Sequence, residues 1–75
     1  MICKKVIAHN FINLPNDLDS NFESVNSYIK YLKDNPQISI DCKTFHNFFN
    51  LASNTQKHTL VKGIAGAIPV LISLA

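Results

Sequence analysis

Two cysteines and three histidines are the residues in this chain best suited to chemistry, and four of them have a spacing worth testing. Cys42 and His46 stand four apart, so on a helix they share one face, and Cys3 with His9 would complete a Cys2His2 set for zinc. Neither pair has a zinc-finger spacing, and Cys42 and His46 adjoin a Phe45/Phe49 face where a small buried cysteine is ordinary. No metal and no cofactor is therefore expected. As nucleophile and base the same pair would need a thiolate, a base in reach and a group to orient that base. Asp41 is the one carboxylate close by in sequence, and a chain this small has little room for a concave site, so no catalytic residue is expected and the chain reads as non-enzymatic.

Asp17, Asp19 and Asn21 alternate as the first three oxygen ligands of a calcium loop do, but Phe22 stands where the loop needs glycine and Tyr28 where it needs a bidentate glutamate. Ser20-Asn21-Phe22-Glu23 is better read as a capping box that opens a helix. A third constellation lies in "TFHNFFNLASNTQKHTLVKG", two helical runs around a short polar turn. There Asn54, Gln56 and Lys57 would face a groove from a helix over 54–62, in the manner of a helix-turn-helix whose Asn and Gln read adenine. The turn has no glycine, the net charge is only +2, and all seven cationic residues are scattered lysines, so nucleic-acid binding stays an alternative.

The elements that must position these residues are mostly helical. Phe22, Val25, Ile29 and Leu32 follow one helical face from Asn21 to about Asp34, with Tyr28 and Tyr31 flanking it, and Asn35-Pro36 ends it. Asp41 is placed to cap a second helix, Cys42 to Ala52, with Phe45, Phe48, Phe49 and Ala52 on one side. Ser53-Asn54-Thr55-Gln56 forms a second capping box, opening a helix with Leu60, Val61, Ile64 and Ile68 in phase. Residues 1–14 fit a helix by spacing, yet their β-branched content also suits a strand. The fold expected is all-α, a small three- to four-helix bundle in a single domain over 1–75. The alternative is an α+β fold with strands at about 2–8 and about 38–40. The core expected is Phe22, Val25, Ile29, Leu32, Phe45, Phe48, Phe49, Leu60, Val61 and Ile64.

Composition supplies the functional expectation. At 75 residues folding removes only about 60% of the surface an unfolded chain exposes, yet 47% of the residues are hydrophobic and 16% charged. The segment Gly63 to Ala75, "GIAGAIPVLISLA", has no charge at all, and Pro69 would kink or restart a helix within it. A helix of that length rises only about 20 Å, short of a hydrocarbon core of about 30 Å. The segment could still lie on a membrane, but it lacks the cationic polar face of an interfacial helix. The reading is thus a protein–protein interaction module of adaptor, inhibitor or immunity type. It would oligomerise or dock on a protein partner through Ile64, Ile68, Val70, Leu71, Ile72 and Leu74, with membrane association a further alternative. Lys4 and Lys5 interrupt any early apolar run, so reduced cysteines and a cytoplasmic location are expected.

Overall fold

The computed structural model describes residues 6–64, which are mostly helical, as an all-α small fold requires. Strand β1 (Val6–Ile7) leads into a single 3-10 turn, Ala8–Phe11, that buries Ala8 and Phe11. The β-branched pair finds a partner in β2 (Ser39–Ile40), antiparallel, with Val6 opposite Ile40 and Ile7 opposite Ser39. The one-helix reading of residues 1–14 is therefore corrected over its described part. Backbone pairing to β2 takes Val6 and Ile7, and only one turn of tighter helix remains before Pro15. Among the described residues the ladder is two residues long and falls within both strands of the α+β alternative, at about 2–8 and 38–40.

Helix α1 (Glu23–Asp34) is entered through a 3-10 turn at Ser20–Phe22. The capping residue is Asp19, not Ser20: its Oδ1 accepts from the Asn21 N–H at 3.1 Å, and its carbonyl accepts from the Phe22 N–H at 2.9 Å. The tighter turn, capped by Asp19, delays the start of α1 to Glu23 and leaves the Ser20/Glu23 box unformed. Val25, Ile29 and Leu32 bury the expected stripe. The Lys33 ammonium near the helix end donates to the Leu14 carbonyl, which ties the 12–19 segment to α1.

Helix α2 (Cys42–Leu51) starts at the expected N-cap, with the Asp41 carboxylate accepting from the Thr44 N–H at 3.3 Å. It buries Phe45 and Phe49. Helix α3 (Asn54–Gly63) opens with the predicted box: Ser53 Oγ accepts from the Gln56 N–H at 3.3 Å, and Gln56 Oε1 accepts from the Ser53 N–H at 2.9 Å. At the other end Gly63 lies so close to the Phe11 ring that a Cβ there would collide with its carbons, so the close approach of α3 to the N-terminal turn needs glycine.

The core joins Phe11 and Ala8 to the α1 stripe, Ile40, Phe45, Phe49, Ala52, Leu60 and Ile64. Each large side chain buried this way contributes about 1.5–3 kcal/mol. Phe22, Phe48 and Val61 are half-buried at its edge rather than central. The N-terminal turn supplies Phe11 in their place, one of the largest fully buried side chains.

Candidate functional site

Helix α1 carries α3 along one flank and α2 along another, and the two seams differ in what they do with polar atoms. Between α1 and α3, Gln56 is fully buried, at 0% exposure. Its Nε2 donates to Asn26 Oδ1 at 2.5 Å and to the Phe22 carbonyl at 3.4 Å, while its Oε1 closes the α3 box. Asn26 in turn donates from Nδ2 to the Asp19 carbonyl at 3.0 Å. Asp19, one of the alternating acids, thus serves to cap a helix start and anchor this chain of bonds.

That arrangement changes the helix-turn-helix reading. Gln56 has both ends of its amide engaged inside the fold and presents nothing to a groove. Lys57 holds its Nζ 5.4 Å from the centre of the Phe49 ring, a cation–π contact to the core edge, and Asn54 alone of the three is exposed. Ile64, proposed for partner docking, is fully buried in the core. Ile68, Val70, Leu71, Ile72 and Leu74 lie outside the described residues.

Cys42 is disulfide-bonded, contrary to the expectation of reduced cysteines. A disulfide sulfur offers neither the thiolate that binds zinc nor the one that attacks a substrate, so the Cys42/His46 readings have no ligand or nucleophile to start from. His46 follows one turn later, its Nδ1 buried and without a hydrogen-bond partner. No group of three metal-ligating side chains comes together among the described residues.

Between α1 and α2 the structure leaves an open cleft of about 150 Å³, lined by Tyr28, Tyr31, Ile38, Ser39, Asp41 and Thr44 among others. Tyr28 is held there by aromatic packing. It stacks on Phe48 with centroids 4.3 Å apart and meets Phe45 edge-on at 6.3 Å. Tyr31, one turn on, is 47% exposed. On the far wall, the Ala8 N–H bonds the Ile38 carbonyl. Peptide carbonyls alternate along a strand, so the Ser39 carbonyl points away from β1.

The electrostatics of the cleft are set by one carboxylate. Asp41 is fully exposed, and its Oδ2 accepts the Thr44 hydroxyl at 2.5 Å. That hydrogen bond, helped by the Thr44 and Lys43 amides, holds the carboxyl below the usual range and keeps it charged; the Lys43 ammonium is the smallest contribution. Tyr28 is affected in the opposite sense. Burial pushes its phenol well above the ordinary range, and the Asp41 charge and Tyr31 add to the effect. Its hydroxyl has no hydrogen-bond partner among the described residues. The cleft is therefore lined by two tyrosines and a fixed negative charge, and it is half the size or less of a typical small-molecule site of about 300–1,000 Å³.

Spacing sets Tyr28 and Tyr31 beside the α1 stripe and Asp41 at the α2 cap, and no local pattern joins them. The signal present was the width that the two tyrosines give to α1, more than one packing partner needs. What joins them is the short β2 connector, which sets the start of α2 against the middle of α1. No helix among the described residues is long and apolar enough to cross a membrane. No family model, curated protein or solved structure matches the chain.

Proposed function

We propose that the chain is a small non-enzymatic protein–protein interaction module that oligomerises or docks on a protein partner through its apolar C-terminal segment. The observation that carries this reading is the uncharged run 63–75. Its first two residues, Gly63 and Ile64, are buried in the described body, and the remaining eleven add Ile68, Val70, Leu71, Ile72 and Leu74 with no charge among them. Contiguous apolar surface beyond a few hundred Å² marks interaction sites on soluble chains. A cytoplasmic location is left out of it, because disulfides such as that of Cys42 are rare in reducing compartments.

Light scattering on a sizing column tests the proposal with the full-length chain and its Ile68→Asp/Leu71→Asp variant. The wild-type chain is expected to run as a discrete oligomer, or as a monomer that a cognate partner shifts, and the variant to lose that association with its circular dichroism unchanged. Association that survives both charges would remove the segment from the interface.

A further inference from the structure

We propose that the α1–α2 cleft receives one cationic side chain, lysine or arginine, from a protein partner. The inference rests on the reading of the chain as an interaction module, but on a different surface from its C-terminal segment.

Three observations select this occupant. Asp41 places a full negative charge at the cleft, fully exposed and held ionised by its own helix start, and Lys43 bears on it only weakly. Charge complementarity therefore favours a cation and disfavours a phosphate or carboxylate. Tyr28 and Tyr31 line the same space, and tyrosine rings are common neighbours of ammonium and guanidinium groups. The Tyr28 ring is fixed by its stack on Phe48, so its position is set before a ligand arrives. The volume fits one side chain and is too small for a nucleotide or similar cofactor. An apolar side chain would fill the space but would cover the Asp41 carboxylate without supplying a partner, which is unfavourable. Lysine and arginine do both: their methylene stems lie along the rings and their heads reach the carboxylate.

The experiment is a nuclear magnetic resonance titration of the labelled full-length chain with N-acetyl-arginine methylamide and N-acetyl-lysine methylamide. N-acetyl-norleucine methylamide serves as the uncharged control. The expected result is saturable shift changes confined to Tyr28, Tyr31, Ser39, Asp41 and Thr44 with the cationic probes, at about millimolar affinity, weakening as salt is added. Asp41→Asn retains the N-cap, because Asn caps as well as Asp, so the fold is kept while the charge is removed. That variant should bind the cationic probes about tenfold more weakly. Tyr31→Ala, at an exposed position, should weaken them as well. The proposal is overturned by equal shifts with norleucine, by unchanged affinity in Asp41→Asn, or by no saturable shift at the cleft with any probe. The Ile68→Asp/Leu71→Asp variant should bind the probes as the wild-type chain does, so loss of cleft binding and loss of the C-terminal interface register separately.

Discussion

The two flanks of α1 treat polar groups in opposite ways. Toward α3, a glutamine and an asparagine are drawn into the interior and bonded in series, from Ser53 through Gln56 and Asn26 to Asp19. Toward α2, two tyrosines and a carboxylate line an open cleft, and the carboxylate's protein bonds come from its own helix start. Buried polar groups are tolerated when they are satisfied, and an unsatisfied one costs about 1–3 kcal/mol. The first seam is therefore built for stability and orientation. The second keeps its carboxylate within reach of water or a ligand.

That contrast is broken or sharpened first at Gln56. Gln56→Leu keeps the volume but removes the Nε2 donor that Asn26 Oδ1 and the Phe22 carbonyl share, and it opens the α3 box. It should cost about 2–4 kcal/mol in urea unfolding. A cost near zero would mean the seam is held by its apolar contacts alone. Ser53→Ala removes the other half of the box and should cost about 1 kcal/mol, since Gln56 keeps its bonds to α1.

On the cleft side the same kind of deletion should cost little. Tyr28→Phe keeps the stack on Phe48 and deletes a hydroxyl with no hydrogen-bond partner among the described residues, so stability at neutral pH should stay within about 0.5 kcal/mol. Its effect appears at alkaline pH. The folded phenol is raised, so between the ordinary tyrosine value near 10 and the folded value the unfolded chain loses a proton that the folded chain keeps. Stability is full below that window and falls as pH rises through it. Tyr28→Phe should flatten the fall, as measured by denaturation at a series of pH values; an unaltered slope would place the phenol in open water.

Much of this was legible in the residues. The α1 stripe, the Asp41 cap and the Ser53/Gln56 box follow from local spacing, because a helix brings i, i+3 and i+4 together wherever it sits. Gln56 shows the limit of that logic. Its role in the box was readable, but its second role, as a bridge to Asn26 thirty residues away, depends on how α3 lies on α1. The same spacing that suggested a base-reading surface marks a residue turned inward. The burial of Phe11 was hidden for a related reason, and the β1–β2 pairing was legible only as an alternative. Two β-branched residues follow helix or strand spacing equally well, and the choice was made by Ser39 and Ile40, far along the chain. The cleft is non-local too, since Tyr28 and Asp41 meet only because β2 turns the chain back.

The central claim, that the α1–α3 seam is locked by polar bonding, is tested most directly by a double-mutant cycle in urea on Asn26→Ala and Gln56→Ala. The account predicts that the two losses fall short of adding, with a coupling of about 1 kcal/mol or more. A coupling below about 0.3 kcal/mol, the level of independent sites, would contradict it.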